Sequence, residues 1–248
     1  MNLKIVQCGI DRDSPREAQS IKQLKQLGND LNIRYIHIEN PRYEWDAPTD
    51  NIYKKWVGSY AGKITENLGW KLQLTDYNYG CWLSHRQALS VGFADRDHTL
   101  VCEADCRILD MDLFKQRLQE AVNLLNSGVD YHLVRFEPPF YPIGIETEFF
   151  NQVSENIYEC HNIFSGHCHL INKNSKAFFS ALYELEGWTT NDDWLNWGLA
   201  DRGHRQLAFK EFLTWQFDGE SAIGEYDKHF DDMANDIREN IKQKLGQT

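Results

Sequence analysis

The first forty residues contain the pattern that most limits the fold: an apolar strand, an amphipathic helix and a second apolar strand. Residues 3–8 and 33–38 are short apolar runs typical of buried strands. The segment between them ends at Gly28 and has apolar side chains at helical spacing, namely Ala18, Ile21, Leu24 and Leu27. A strand, a helix and a strand in this order build parallel sheet, and ligands bind where such strands end. The sequence therefore predicts an α/β fold with a ligand-binding loop after the first strand.

The rest of the chain alternates strands and helices in a similar way. Further strands are predicted at residues 99–102, 132–136 and 168–171, and further helices at residues 79–93, at residues 175–185 and from Asn191 onward. A helix capped by Asp110 or Asp112 should end at Gly128 and bury a face formed by Phe114, Leu118, Ala121, Val122 and Leu125. Residues 40–75 and 138–160 have no clear period and are interpreted as irregular segments, with a short helix in the first, that shape an acceptor pocket. Together these elements predict a Rossmann-like domain with a central mostly parallel sheet flanked by helices.

The length of 248 residues fits one domain with a small appendage. Residues 1–225 are assigned to the α/β domain. Residues 226–248 carry apolar side chains at helical steps on an otherwise charged segment, which is typical of an amphipathic helix. We expect this helix to pack on the domain or on a partner.

The charge balance excludes one class of function. The chain has 26 Lys and Arg against 37 Asp and Glu, a net charge of −11 at pH 7, which disfavours binding to nucleic acid. No apolar run approaches the roughly 18 residues that a transmembrane helix needs. The N-terminal residues lack the features of a secretory signal. We therefore expect a cytoplasmic protein whose contact with a membrane, where it occurs, is peripheral.

Six cysteines are interpreted as small buried side chains in a reducing compartment, without disulfides. A cluster of soft ligands occurs within ten residues: Cys160, His161, His167, Cys168 and His169. It contains no Cys-x-x-Cys pair, and neighbouring residues of a strand point to opposite faces. The spacing thus argues against a structural zinc site in this segment, and one of the histidines, or His229, is left as a candidate for completing a catalytic cation's shell.

Two carboxylates separated by one residue follow the apolar run at 99–102. If the segment is extended, Glu103 and Asp105 point the same way and can converge on one hard cation, Mn²⁺ or Mg²⁺. A cation there could hold a diphosphate and neutralise the charge that develops as it leaves. The structural alternative is ordinary solvated charge in a loop.

This pair lies in a wider motif. The segments GCWLSH at 80–85 and LVCEAD at 100–105 resemble the paired motifs of glycosyltransferase family 25, which contains lipopolysaccharide-type and procollagen galactosyltransferases. Residues 166–171 with Lys176-Ala177, and Gln216 with residues 221–223, resemble later family segments in the same order. The sequence departs from the family at two positions, because Ala104 stands where the middle Asp is usual and His169 where Tyr is usual.

The resemblance implies a GT-A-like enzyme of glycan synthesis, such as lipopolysaccharide biosynthesis. It implies a divalent metal, a nucleotide-sugar donor and a glycan or glycoconjugate acceptor, with UDP-galactose as the first donor to test. Asp105 is expected to bind the metal, and Glu103 the metal or the ribose. Donor-binding candidates are Gln7, Asp11, Arg12, Arg16, Ser84, His85 and Glu103.

The catalytic base of an inverting transfer is expected at Asp192 or Asp193, since a carboxylate must take the acceptor's proton. The structural reading of this pair is that acids are favoured in the first turn of a helix. Arg12 and Arg16 have ordinary surface charge as their alternative, and His85 has the role of a buried hydrogen-bonded histidine. Ser84 is rejected as a hydrolase nucleophile because no strand-to-helix elbow surrounds it.

Two other functions are consistent with the same residues. Ala104 motivates a catalytically silent protein that binds a nucleotide sugar or a glycan on the same fold. A metal-dependent phosphohydrolase would share the carboxylates, but it would release phosphate from simple nucleotides without a sugar donor. Turnover of a nucleotide sugar separates these functions from a transferase.

Overall fold

A computed structural model describes residues 2–9, 15–38, 84–85, 87–92, 94–137, 140–141, 145–161, 163, 166–175 and 206–216. Its two long helices are α1 (Pro15–Leu31) and α2 (Met111–Asn126). Its strands are β1 (Leu3–Cys8), β2 (Arg34–Ile38), β3 (His98–Cys102), β4 (Cys106–Ile108), β5 (Leu133–Arg135), β6 (Phe140–Tyr141), β7 (Ile145–Glu146), β8 (Glu148–Gln152), β9 (Ile157–His161), β10 (Cys168–Ile171), β11 (Gln206–Phe209) and β12 (Thr214–Gln216). Residues 84–85 and 87–92 are helical, and Lys173–Ser175 form a 3-10 turn.

Eight strands form the central sheet in the order β2-β1-β3-β10-β5-β11-β9-β8. β9 and β10 run against their neighbours, and the other six strands share one direction. β1, α1 and β2 form a strand–helix–strand unit, as the sequence predicts, and β3 pairs in parallel with the other side of β1. The predicted α/β fold, Rossmann-like with a mostly parallel central sheet, is confirmed. The sheet is mixed because β9 and β10 are antiparallel.

Helices cover both faces of the sheet. Adjacent residues of a strand point to opposite faces of the sheet, so the side chains of Ile5 and Lys4 lie on different faces. Ile5 is buried in one apolar cluster with Leu24 of α1 and Phe114 of α2. Lys4 Nζ donates to the carbonyl oxygen of Val91, in a helical turn, at 3.1 Å. The flanking helices that the sequence predicts are therefore present on both sides.

The first helix is longer than the sequence indicates. Gly28 does not end it, because α1 continues to Leu31 and is followed by Asn32 with a φ of 52°. Asparagine adopts this left-handed conformation more readily than most residues do, and it often follows a helix. A Cβ on Gly28 would lie 3.1 Å from the carbonyl oxygen of Ile33. The glycine thus permits close packing of α1 against the strand that follows, and the prediction of a stop there is wrong.

The second helix is confirmed in detail. The Asp110 side chain accepts hydrogen bonds from the backbone N–H groups of Asp112 and Leu113, both at 3.0 Å. Gly128 follows the helix with a φ of 86°. The buried residues are the five predicted ones: Phe114, Leu118, Ala121, Val122 and Leu125. This helix could be predicted because its cap, its apolar face and its terminating glycine are all local in sequence.

Several strands were not predicted. The stretch at 138–160 was interpreted as a loop, whereas β6, β7, β8 and most of β9 lie within it. β8 is largely exposed and lies at the edge of the sheet, so it has no buried apolar run to identify it. β11 and β12 also have no counterpart in the prediction.

Other predictions lie outside the described residues. These are the loops at 40–75, most of the helix at 175–185, the helix from Asn191 and the C-terminal helix at 226–248. In the part of the chain that the structure describes, no helix has the length and apolar character needed to cross a bilayer.

Candidate active site

The carboxyl edge of the sheet brings together residues that are distant in sequence. Glu103 follows β3 and Glu137 follows β5, and these two strands share one direction. β10 runs the other way, so His167, which precedes it, lies at the same edge. The backbone N–H of Glu103 donates to the carbonyl oxygen of His167 at 2.9 Å. This edge is where open α/β sheets bind ligands.

The two predicted metal carboxylates lie in a tight turn. The backbone N–H of Cys106 donates to the carbonyl oxygen of Glu103 at 3.2 Å, which closes a turn from residue 103 to residue 106. The expectation that Glu103 and Asp105 share a face of an extended segment is therefore wrong. Asp105 is 6% exposed and Ala104 is 1% exposed. The alanine methyl group points into packed protein, so an aspartate at this position would bury its carboxylate.

Gln7 fixes this turn from the neighbouring strand. Its Nε2 donates to Ser20 Oγ at 2.9 Å and to the carbonyl oxygen of Ala104 at 3.3 Å. The hydroxyl group of Tyr35 donates to Gln7 Oε1 at 2.5 Å. Gln7 has no exposed surface and both of its amide atoms have partners within the protein. It thus lies beside the candidate site and contacts the turn, and a direct role in donor binding stays a prediction.

His85 joins the two sequence motifs in space. Its Nε2 lies 2.9 Å from Oε1 of Glu103, and the two side chains are 2% and 17% exposed. Burial alone would raise the pKa of Glu103, but the hydrogen bond to His85 and the imidazoles of His167 and His169 bring the pKa below its usual value. The carboxylate is thereby kept ionised. Ser84 is also buried and helical, and its role in donor binding stays a prediction.

A second carboxylate lies behind this pair. The His85 and His169 rings stack at 6.0 Å between centroids, with 11° between their planes. His169 Nδ1 lies 3.6 Å from Glu137 Oε1, and Glu137 Oε2 accepts from Arg135 Nε at 3.0 Å. Arg135 also donates to Gln206 Oε1 at 2.9 Å. His169, where glycosyltransferase family 25 usually has Tyr, thus places an imidazole between the His85 ring and the Glu137 carboxylate.

Glu137 is ionised although it is fully buried. Burial alone would raise the pKa of Glu137, but the Arg135 guanidinium and the imidazoles of His169 and His167 lower it to about 2. The backbone N–H groups of Phe136 and Cys168 also donate to its carboxylate, at 3.0 and 3.2 Å. These contacts connect β5 to β10 beneath the candidate site.

The loop predicted to hold the nucleotide follows β1. A Cβ on Gly9 would lie 2.7 Å from both Glu17 Oε1 and the carbonyl oxygen of Ile38. Glu17, in the first turn of α1, is buried and pairs with His37 Nε2 at 2.8 Å. Arg16 is the second residue of the same helix. Among the other candidates, Asp11, Arg12, Asp192 and Asp193 lie outside the described residues.

The ion pair between Arg135 and Glu137 is not among the site residues predicted from the sequence. A signal was present, because these charged residues interrupt the apolar run at 133–137, and a charge in a buried strand needs a partner.

The described residues contain one group of three potential metal ligands, the thiols of Cys102, Cys106 and Cys168. The carboxylates of Glu103 and Asp105 are of the hard oxygen type that suits Mn²⁺ or Mg²⁺.

The chain is similar to known proteins in its structure. No family profile and no curated protein sequence matches the chain. A crystal structure of a glycosyltransferase involved in glycosylation of the major capsid of PBCV-1 aligns with 9% identity, a TM-score of 0.40 and coverage of 92% of this chain and 98% of that one. A crystal structure of UDP-glucose pyrophosphorylase in complex with UDP-glucose aligns with 10% identity, a TM-score of 0.39 and coverage of 96% and 98%.

Proposed function

We propose that this chain is a glycosyltransferase that moves a sugar from a nucleotide-sugar donor to a hydroxyl group of a glycan or glycoconjugate. The observation that carries the proposal is the contact between His85 and Glu103 at 2.9 Å. The two segments that resemble glycosyltransferase family 25, at residues 80–85 and 100–105, are separate in sequence and meet through this contact. They meet at the carboxyl edge of a Rossmann-like sheet, where nucleotides bind in such folds.

The residues of the turn have distinct roles in this proposal. Asp105 holds a divalent cation, Mn²⁺ or Mg²⁺, and Glu103 holds the cation or the ribose. When bound, the cation supplies positive charge to the departing diphosphate. His85 occupies Oε1 of Glu103 and so fixes the orientation of the carboxylate. Gln7 holds the backbone of the turn through the carbonyl oxygen of Ala104.

The finer assignments rest on the family resemblance. UDP-galactose is the proposed donor, and Arg12 and Arg16 are proposed to contact its diphosphate or ribose. Asp192 or Asp193 takes the proton of the acceptor hydroxyl group, which gives a single inverting displacement.

The first experiment measures donor binding and donor turnover by the full chain. Thermal melting is recorded with a panel of UDP-sugars, with Mn²⁺ and then with a chelator, and UDP release is followed in parallel. A ligand that binds only the folded state at about 100 times its Kd adds about 2.7 kcal/mol, or about 5–10 °C for a chain of this size. We expect one UDP-sugar to give such a shift and slow UDP release, and the chelator to abolish both.

The Asp105→Asn variant tests the metal assignment. We expect it to lose the shift that depends on Mn²⁺ together with UDP release, because an amide is a weaker cation ligand than a carboxylate. Asp112→Asn is the matched control, since this carboxylate is 89% exposed at the start of α2. Turnover that still depends on Mn²⁺ in Asp105→Asn contradicts the assignment of that residue.

A silent binding protein is the second candidate, and buried Ala104 is the observation that favours it. The turn carries one carboxylate fewer than the family motif, and the alanine is only 1% exposed. This candidate predicts a melting shift with a nucleotide sugar but no UDP release in any acceptor screen. The same pair of measurements therefore distinguishes the two functions.

A further inference from the structure

Three cysteines from separate elements converge beneath the carboxylate turn. Cys102 ends β3, Cys106 begins β4 and Cys168 begins β10. Their sulfur atoms all lie within 4.8 Å of one another, and none of the three residues has exposed surface. Cys102 and Cys168 are paired directly across the antiparallel strands β3 and β10. The antiparallel register brings Cys102 and Cys168 together, and the turn at residues 103–106 brings Cys106 to them, so the three thiols form a compact cluster.

The two other described cysteines are buried singly. Cys8 ends β1 outside the cluster, and Cys160 Sγ donates to the carbonyl oxygen of Gln206 at 3.6 Å. Both are small buried side chains, as the sequence predicts for every cysteine. The cluster differs because its three sulfur atoms face one another.

The spacing of the cluster matches metal coordination better than it matches a disulfide. Cys102 Sγ and Cys168 Sγ are 3.8 Å apart, whereas a disulfide bond is about 2.0 Å long. Zinc–thiolate bonds of about 2.3 Å in a tetrahedron place neighbouring sulfur atoms about 3.8 Å apart. A disulfide would use two of the three thiols, while a cation would use all of them. His167 precedes Cys168, but its Nε2 lies 2.9 Å from Thr214 Oγ1, so the described ligand set is three sulfurs.

We propose that Cys102, Cys106 and Cys168 form a structural site for a soft, thiolate-preferring cation, for which Zn²⁺ is the expected ion. Thiolates select Zn²⁺ over the hard cations Mn²⁺ and Mg²⁺. The site is separate in chemistry from the oxygen ligands of Glu103 and Asp105, although the same turn carries both. A cation there would connect the turn to β10 and so hold the carboxylates in place.

The test uses Cd²⁺ as a spectroscopic probe and contains no nucleotide, so its outcome does not depend on the proposed transferase function. The full chain is reduced, stripped of metal with a chelator and titrated with Cd²⁺. We expect the ultraviolet thiolate-to-cadmium charge-transfer band to saturate at one ion per chain. Zn²⁺ should displace the Cd²⁺ and raise the melting temperature, and Mg²⁺ should do neither.

Matched variants assign the band to the cluster. Cys168→Ala should lose saturable binding, and Cys160→Ala, which removes a thiol of equal burial from the same sheet, should keep it. Far-ultraviolet circular dichroism checks that each variant folds. If Cys168→Ala does not fold, the wild-type titration decides alone, because no band after one equivalent of Cd²⁺ overturns the site. An intact mass of the unreduced chain two hydrogens below the thiol form shows a disulfide, and it overturns the site when peptide mapping places the bond between any two of these three cysteines.

Discussion

Replacing Glu137 with Gln tests whether the buried charge network supports the candidate site. The substitution keeps the shape of the side chain but removes its charge, and it leaves the Arg135 guanidinium, 0% exposed, without its ionic partner. Removing one member of a buried ion pair costs about 3–5 kcal/mol. The pKa of Glu137 gives a similar figure: it falls from 4.5 to about 2, and each factor of ten in proton affinity is about 1.4 kcal/mol, which gives about 3 kcal/mol.

The pH dependence of this effect has a definite sign. The folded state lowers the pKa of Glu137, so the pairing stabilises the fold above the unfolded-state value of 4.5 and is lost as the pH falls toward about 2. Urea unfolding of the wild type and of Glu137→Gln should differ by about 3 kcal/mol at pH 7 and by about 1 kcal/mol at pH 3.

An exposed carboxylate provides the control. Glu148→Gln, on the exposed edge strand β8, should change the free energy of unfolding by less than about 0.5 kcal/mol at either pH. A Glu137→Gln protein as stable as the wild type at pH 7, or a difference that does not change with pH, would show that the ion pair between Arg135 and Glu137 does not stabilise the fold.

Three further substitutions test the turn and its surroundings. His85→Ala should weaken Mn²⁺-dependent donor binding about tenfold or more, measured by calorimetry, because it removes a charge-assisted hydrogen bond of about 1.5–3 kcal/mol from Glu103; unchanged affinity contradicts this. Ala104→Asp introduces the middle Asp usual in glycosyltransferase family 25, but it should lower the melting temperature, since it buries a carboxylate at a 1% exposed position. A variant that is as stable as the wild type and binds the cation more tightly contradicts this expectation. Gly9→Ala should cost about 1–3 kcal/mol in urea unfolding because its Cβ would lie 2.7 Å from the carbonyl oxygen of Ile38, and an unchanged midpoint contradicts the close approach.

The parts of the fold that could be predicted are those encoded locally. β1, β3 and β10 are wholly buried and read as apolar runs, and α2 carries its own cap. β8 and β12 could not be found in this way, because their residues lack a continuous apolar run and depend on a neighbouring strand. The end of α1 was missed because Gly28 serves packing rather than termination, which depends on the position of Ile33.

The candidate site could likewise be predicted only where its residues belong to a local motif. Glu103 and His85 could be singled out from their motifs, but their contact depends on how the helical residues near 85 pack on the sheet. The position of Glu137 beneath His169 depends on the register between β10 and β5, which no local pattern contains. The sequence therefore identifies Glu103 and His85 but not Glu137, and helix packing and sheet register decide which of these groups meet.

The segment from Cys102 to Cys106 shows how residues distant in sequence determine the geometry of the candidate site. Two carboxylates, Glu103 and Asp105, lie between two thiols, Cys102 and Cys106, within five residues. Because the segment turns, the thiols pack inward against Cys168, and the Glu103 carboxylate is directed to His85 at the sheet edge. A fully extended segment would place residues 102, 104 and 106 on one face and residues 103 and 105 on the other. The turn at residues 103–106 departs from this arrangement, and two contacts hold it: the hydrogen bond that closes it and the contact of Gln7 with Ala104. In the proposed enzyme the position of the carboxylate turn therefore depends on contacts made by Gln7, His85 and Cys106, and not on the local motif alone.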